Sequence, residues 1–171
     1  MTKQQNLFTM QNDQPIIEKS AKFSNHRQHR YTLWRTWNKP EGYIMFIGLN
    51  PSTADERLDD PTIRRCMGYT KDWGYGGLIM TNLFAFRATE PQDMRNAKDP
   101  IGSQNDYFLR VCAGYASITI AAWGTNGAFM QRDKEVIKLI PNLHYLKLTK
   151  LGFPAHPLYL KKNLKPAEWN W

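Results

Sequence analysis

The chain has 171 residues, of which 42% are hydrophobic and 22% charged, a composition that excludes a disordered or low-complexity protein. This length predicts one domain over residues 15–171, able to fold unaided, after a polar and aperiodic flexible tail at residues 1–14. Lysine and arginine outnumber aspartate and glutamate by 23 to 15, and the net charge of +8 favours a polyanionic partner, either nucleic acid or anionic lipid.

Cys66 and Cys112 are the only cysteines, and neither belongs to a CxxC motif or a Cys/His array. A Cys-ligated zinc or iron–sulfur site is therefore not expected, and we predict no metal and no cofactor. The chain lacks the basic and apolar pattern of a leader, and no apolar run reaches the roughly 18 residues of a membrane span. We expect a cytoplasmic monomer with reduced thiols and no membrane partner.

The first predicted strands lie before residue 43. Residues 16–23 are expected to form a short strand, and residues 29–37 alternate in the manner of a half-buried strand. Its buried face is expected to hold Tyr31, Leu33 and Trp37, and its open face Arg30, Thr32 and Thr36. The Pro- and Gly-containing turn that follows predicts antiparallel pairing with a central strand at residues 43–50.

The central strand is the clearest element in the sequence. Residues 43–49 are apolar or Gly without alternation, which is typical of a strand buried on both faces of a parallel sheet. Pro51 ends the run and favours an extended conformation for Asn50. Asn50 is therefore predicted at the carboxyl end of a central strand, where open α/β sheets bind ligands. An ordinary turn-forming Asn fits the same pattern.

Helices and buried strands alternate through the rest of the chain. Asp60 followed by Pro61 predicts the start of a helix that Gly74 ends, with Cys66 in its core-facing side. The later predictions are strands at 76–84, 116–124 and 144–148, helices at 103–113 and 127–140, and loops at 87–99 and beyond 148, the last with a short helix. This alternation predicts an α/β three-layer α/β/α sandwich with a mainly parallel four-stranded sheet and an N-terminal antiparallel strand.

Two further polar residues are candidates for a site. Asn82 falls inside a buried strand, where an amide is costly unless it finds partners, and its donor and acceptor suit the edge of a nucleobase. His156 lies in an Ala-His-Pro loop eight residues after the fourth predicted strand. A structural amide and an ordinary loop histidine are the alternatives.

The C-terminal region is basic and partly aromatic. Between residues 147 and 165 it has five lysines and no acidic residue, with apolar residues interleaved. This pattern is typical of a loop that follows phosphates, although a solvated basic surface fits it too. The residues predicted to contact DNA are Lys150, Leu158, Tyr159, Lys161 and Lys162.

The order of these segments resembles that of the uracil-DNA glycosylase superfamily. The resemblance covers about residues 43–165, and its parts are a strand ending in G-x-N-P, a second strand with an Asn near its end, a strand ending in W-G and an H-P loop. Some segments also look like those of a family of small bacterial and phage proteins. The stretches that match the glycosylase superfamily are GLNPS (48–52), LIMTNLFAFRAT (78–89), ITIAAWG (118–124) and HPLYL (156–160).

The resemblance implies a role for each candidate. Asn50 would position the attacking water, and Asn82 would pair with a flipped base, with Phe84 beside it. His156 would stabilise the charge on the departing base. Leu158 or Tyr159 would fill the space that the base leaves in the stack.

The catalytic base is less clearly indicated. An amide such as Asn50 orients water but is a poor general base. The acidic segment that follows offers carboxylates, with Asp55 as the expected catalytic residue and Asp59 or Asp60 as alternatives.

Two functions remain open from the sequence. The first is a glycosylase-like hydrolase that cleaves the N-glycosidic bond of a base, modified or not, in DNA or in a nucleotide. The second is a non-catalytic nucleic-acid- or nucleotide-binding protein with the same fold, acting in phage or host DNA modification or defence. A serine hydrolase using Ser52 is disfavoured because the chain has no G-x-S-x-G motif.

Overall fold

The fold is mixed α/β, as predicted. The structure, a computed structural model, describes residues 14–171 and forms within them one seven-stranded sheet and four α-helices. The predicted tail at residues 1–14 therefore lies almost wholly outside the described residues. Within that described range, no helix combines the length and apolar character that crossing a membrane requires.

Between residues 43 and 145, strands and helices alternate in the predicted order, with one additional helix. The strands are β1 (Glu18–Phe23), β2 (Arg30–Thr36), β3 (Tyr43–Gly48), β4 (Gly77–Asn82), β5 (Ile118–Ala121), β6 (Leu143–Tyr145) and β7 (Ala167–Glu168). The helices are α1 (Pro61–Asp72), α2 (Pro91–Asn96), α3 (Asn105–Tyr115) and α4 (Arg132–Leu139).

The sheet order is β1-β2-β4-β3-β5-β6-β7. Strands β4, β3, β5 and β6 pair in parallel, whereas β1, β2 and β7 are antiparallel to their neighbours. The parallel strands therefore end at the same edge of the sheet, which brings the segments that follow them together.

The predicted hairpin between β2 and β3 is wrong. Strand β2 pairs antiparallel with β4, because β3 is already flanked by β4 and β5. The backbone N–H groups of Trp37 and Asn38 both donate to the carbonyl of Gly76 at 2.9 Å, which aligns the end of β2 with the start of β4. The turn between β2 and β3 thus carries the chain across β4 and does not close a hairpin.

The predicted open face of β2 is also wrong, because both faces of the strand are covered. Tyr31 stacks on Phe108 of α3 with 5.3 Å between ring centroids. On the other side, Arg35 pairs with Asp59 at 2.7 Å and donates to the carbonyl of Asp55, so the loop after β3 folds over the strand. Residues assigned to the solvent are therefore buried: Arg30, Thr32 and Thr36.

Hydrophobic side chains fill both sides of the parallel strands. Alternate residues of β3 supply the two cores, with Met45 on one side and Phe46 on the other. One core packs against α2, α3 and α4 and includes Met94, Leu109, Cys112, Val136 and Ile137. The other packs against α1 and includes Ile63, Cys66, Met67 and Tyr69.

Helix α1 begins and ends as predicted. The side chain of Asp60 accepts a hydrogen bond from the backbone N–H of Ile63 at 2.9 Å, Pro61 is the first helical residue, and Gly74 follows with φ of 82°. Two aromatic residues of this helical segment hold the C-terminal part of the chain. The hydroxyl of Tyr69 donates to the carbonyl of Lys161 at 2.6 Å, and the indole N–H of Trp73 donates to that of Leu164 at 3.0 Å.

Three local predictions need correction. Helix α2 lies inside the segment predicted as a loop, with Pro91 at its first turn. Helix α4 begins five residues later than predicted, since Met130 and Gln131 adopt positive φ angles of 55° and 53° that an α-helix does not allow. Beyond residue 148, the structure has a 3-10 turn (Pro157–Tyr159) and strand β7, which completes the sheet beside β6.

The close contact between Gly76 and Asn38 gives a stability prediction. A Cβ atom at residue 76 would lie 1.5 Å from the carbonyl oxygen of Asn38, so Gly76→Ala should lower the free energy of unfolding by about 2 kcal/mol or more. Gly68→Ala is the matched control, because no atom beyond the adjacent helix backbone lies within 4 Å of a Cβ there, and alanine is favoured over glycine in a helix by roughly 0.5–1 kcal/mol. The urea concentration at the midpoint of unfolding, measured by circular dichroism, should therefore fall for Gly76→Ala and rise for Gly68→Ala.

Candidate functional site

A cavity of about 310 Å³ lies at the carboxyl ends of β3 and β4. Its size is at the lower end of the roughly 300–1,000 Å³ typical of small-molecule sites. Asn50, Asn82 and His156 all line it, so the structure brings together three residues that are far apart in the sequence. Other lining residues are Arg30, Gly48, Ser52, Asp60, Thr62, Thr89 and Leu158.

Asn50 is held by main-chain acceptors. Its amide nitrogen donates to the carbonyls of Ala88 at 2.8 Å and Pro51 at 3.1 Å, and the N–H of Ala88 in turn donates to the carbonyl of Pro51. These bonds use both amide hydrogens and fix the plane of the amide. The oxygen Oδ1 receives no hydrogen bond from the described part of the chain, so it is available to accept one from a ligand or water.

Asn82 is an unpartnered amide at the cavity wall. The residue is only 2% exposed, and its Nδ2 is buried without a hydrogen-bond partner among residues 14–171. Its neighbour in the parallel register is Gly48, and a Cβ at that position would come within 2.8 Å of Asn82 Oδ1. Since a buried amide without partners is costly, this arrangement points to a polar ligand that completes its hydrogen bonds.

The backbone around Asn82 is fixed from behind. The side chain of Asn105 on α3 donates to the carbonyls of Asn82 and Leu83, both at 3.0 Å. Arg132, at the start of α4, donates to the carbonyl of Leu83 at 2.9 Å and forms ion pairs with Asp106 and Glu135. These buried polar groups hold the end of β4 while leaving the Asn82 amide free.

His156 lies at the rim of the cavity, in the residue before the Pro157–Tyr159 turn. Its Nδ1 accepts a hydrogen bond from the N–H of Leu158 at 3.2 Å, so the neutral ring carries its proton on Nε2. Partial burial lowers the pKa of His156 below its ordinary value of 6.5, and the Asp60 carboxylate opposes this shift. The ring is therefore a neutral N–H donor at neutral pH.

Asp60 is the acidic residue that lines the cavity, whereas Asp55, the predicted catalytic residue, does not line it. The side chain of Asp55 accepts the backbone N–H groups of Arg57 and Leu58, both at 2.7 Å, which closes a turn outside the cavity and lowers the pKa of Asp55. Asp59 is used by Arg35 in the ion pair described above.

Phe84 is placed away from the cavity as well. Its ring is fully buried in the core on the α2–α4 side of the sheet and lies 5.5 Å from the ring of Phe129, centroid to centroid. The resemblance implied that Phe84 lies beside Asn82, but β4 ends at Asn82. The strand has ended by that point, so period-two reasoning no longer places the two side chains together.

Arg30 was missed by the sequence analysis although it lines the cavity. It is 2% exposed and donates from Nη1 to the carbonyl of Ala54 at 2.9 Å, while its Nε is buried without a partner in the described chain. The alternating pattern of β2 assigned Arg30 to the solvent. Only the folding of the loop after β3 over the strand buries it, and no local pattern encodes that.

A basic groove of about 630 Å³ adjoins the cavity along α1. Leu158 lines both spaces and forms part of the wall between them. Cationic side chains dominate the groove, with Asp72 as its acidic member. The charged lining residues are Arg64, Arg65, Asp72 and Lys162.

The predicted DNA-binding residues fall into two groups. Leu158 and Lys162 line the groove, with Lys161 exposed beside them and Tyr159 92% exposed. Lys150 is exposed but lines neither the cavity nor the groove. Within residues 14–171, no three His, Cys, Asp or Glu side chains come together in a cluster that could hold a metal ion.

The fold and the cavity define an α/β protein with a polar cavity at the carboxyl ends of its parallel strands. Residues 30–158 match a family described as a protein of unknown function (DUF1643), and the chain belongs to this family. No curated protein and no solved structure matches the chain.

The electrostatic contact between Asp60 and His156 can be tested directly. Asp60→Asn keeps a good helix N-cap but removes the negative charge that favours the imidazolium, so the pKa of His156 should fall further below 6.5. Titration of the ring by NMR measures the shift. Asp72→Asn, at the other end of α1, should leave the titration unchanged, and an equal response of both variants would contradict the assignment.

Proposed function

We propose that this protein is a glycosylase-like hydrolase that cleaves the N-glycosidic bond of a base in DNA or in a nucleotide. The observation that carries the proposal is the meeting of Asn50, Asn82 and His156 in one cavity. These are the residue types that base recognition, water positioning and leaving-group stabilisation require.

The sheet is compatible with a uracil-DNA glycosylase-like layout. Its four parallel strands, β4, β3, β5 and β6, have helices on both sides, and β1 and β2 add antiparallel strands from the N-terminus. Asn50 follows β3, Asn82 ends β4, and His156 comes from the loop after β6, which is the order that the resemblance implied.

Base recognition is assigned to Asn82. Its amide presents one donor and one acceptor, and the donor has no partner in the described protein. A nucleobase edge with an adjacent acceptor and donor would satisfy both groups at once. A base taken from a duplex must first leave the stack, which costs roughly a few kcal/mol.

Bond cleavage is assigned to His156 and Asp60. As the bond between the sugar C1′ and the base nitrogen breaks, its electron pair leaves with the base, which becomes anionic, and the sugar becomes cationic. The Nε2–H of neutral His156 can donate to the base, and the Asp60 carboxylate can stabilise the sugar. Both interactions are stronger in the transition state than in the ground state.

The attacking water is assigned to Asn50. Its Oδ1 is a fixed acceptor because both amide hydrogens are already used by the backbone. Water held there would add to C1′ and lose its proton to Asp60, the carboxylate in the same cavity. Asp60 then releases this proton to solvent and the base anion takes one up, so the products are the free base and a sugar hydroxyl.

The groove along α1 is the proposed DNA contact. Its arginine and lysine side chains would bind backbone phosphates, and Leu158, which lines both the groove and the cavity, would fill the space of an extruded base. The enzyme would act as a cytoplasmic monomer, with Cys66 and Cys112 reduced and buried.

One observation favours the alternative, a non-catalytic binder of nucleic acid or nucleotides. Asp60 also caps α1, so its role as N-cap explains its presence without catalysis. The cavity and groove would then serve recognition alone, in DNA modification or defence.

The decisive experiment incubates the protein with DNAs and nucleotides that carry a panel of normal and modified bases, and detects released base by mass spectrometry. His156→Ala should reduce the rate by roughly 10²–10³-fold, through loss of a donor to the leaving base. Asn50→Ala should reduce it by roughly 10²-fold, through loss of water positioning. The matched controls are His26→Ala and Asn25→Ala, both exposed residues outside the cavity.

The two functions give different results in this experiment. Base release that depends on Asn50 and His156 supports the hydrolase. Binding without release from any substrate supports the binder, and release that survives both substitutions would contradict the assigned site.

The groove predicts the salt dependence of DNA binding. Lys162→Ala should weaken binding to all sequences and reduce the slope of log K against log[salt] by roughly 0.9 for a lost duplex phosphate contact. Lys134→Ala on α4 is the matched control, because it is exposed on the side of the sheet that packs against α2–α4. Fluorescence anisotropy over a salt series measures both slopes. Equal slopes for the two variants would contradict the assignment of the groove as the DNA-binding surface.

A further inference from the structure

Arg30 differs from the other buried arginines of the described chain. Three arginines are almost wholly buried in residues 14–171: Arg30, Arg35 and Arg132. Arg35 has Asp59 as its ion-pair partner, and Arg132 has two carboxylates. Arg30 has no carboxylate within ion-pair distance in that part of the chain, although it is 2% exposed.

The guanidinium of Arg30 is only partly satisfied by the protein. One nitrogen, Nη1, donates to the carbonyl of Ala54, and Nε is buried without a partner within residues 14–171. A buried cation normally acquires an anion and fills its hydrogen bonds, because desolvation is otherwise costly. The residue lines the cavity, so a ligand there can supply what the protein does not.

The surroundings leave Arg30 charged. Burial lowers its pKa to about 10, with Asp60 and Asp55 opposing the shift and Arg87 and Arg35 adding to it. At neutral pH the side chain therefore keeps its proton. The two arginines partly offset the negative potential of Asp60 and Asp55 at the guanidinium.

We propose that Arg30 is the receptor for an anionic group of the ligand, a carboxylate or a phosphate that enters the cavity together with the base. The guanidinium presents parallel N–H donors that match either oxyanion. The proposal rests on the proposed function only in taking the ligand to be a base or nucleotide.

The same cavity holds the two kinds of recognition side by side. The Asn82 amide suits the neutral edge of a base, and Arg30 suits a negative group attached to it. A ligand with only the neutral edge would leave Arg30 without an anion. The negative group has two possible sources, an acidic substituent on the base or the phosphate of a nucleotide.

Calorimetry on the full chain distinguishes these sources with two matched pairs of probes. One pair is uracil and 5-carboxyuracil, and the other is deoxyuridine and its 5′-monophosphate. In at least one pair the anionic member should bind roughly tenfold to a hundredfold more tightly, because its hydrogen bonds are charge-assisted. A preference in the first pair assigns a substituent on the base, and one in the second assigns a phosphate.

Variants then test whether Arg30 is responsible. Arg30→Met should abolish the preference for the anionic probe and leave the neutral probe unchanged. Arg110→Met, at an exposed residue of α3, should leave the preference intact. If circular dichroism shows that Arg30→Met does not fold, Arg30→Lys replaces it, because lysine keeps the charge but lacks the paired donors. This variant should bind the anionic probe several-fold more weakly and the neutral probe equally well.

Two results would overturn the proposal. One is equal binding of the neutral and anionic members in both pairs, and the other is an unchanged preference in the folded variant. These results do not depend on base release. Release of neutral bases without a preference for anionic probes would support the hydrolase and contradict the role of Arg30. An Arg30-dependent preference without base release would support an anion-selective binding protein.

Discussion

The close pairing of Gly48 with Asn82 at the ends of two parallel strands is the constraint on which the site depends. Because residue 48 has no side chain, the amide of Asn82 fits beside the β3 backbone without a protein partner for its nitrogen. The polar groups behind it, on α3 and α4, hold the main chain and leave that amide to the cavity. The fold thus maintains an unsatisfied group, a cost that binding a ligand would repay.

Much of the fold was predictable because its signals are local. The unbroken apolar run of β3 and the Asp60–Pro61 start of α1 correspond to a buried parallel strand and a capped helix in the structure. The strand pairing of β2 was not predictable in the same way. It depends on hydrogen bonds between residues 37–38 and Gly76, which no pattern within β2 encodes. Short elements such as β7 also escape periodicity, since two residues carry no period.

The site was predicted in part, for the same reason. Asn50 and Asn82 lie at the ends of two parallel strands, and both line the cavity because parallel strands end at the same edge of the sheet. The sequence could not show which acidic residue of the loop after β3 lines the cavity. That depends on which of these carboxylates accept hydrogen bonds from the backbone or pair with arginine elsewhere in the fold. Arg30 is the clearest case of information that only the tertiary fold supplies, since its burial is made by a loop that begins some 20 residues later.

The anchoring of the C-terminal segment to α1 links regions that a ligand would touch separately. Trp73 holds the chain near Leu164 but lines neither the cavity nor the groove, while the first turn of the same helix supplies Thr62 to the cavity. A substitution at Trp73 would therefore loosen the loop that carries His156, although Trp73 itself lies outside the cavity. Such a substitution would act on the cavity through the main chain alone, because it changes none of the residues that line the cavity.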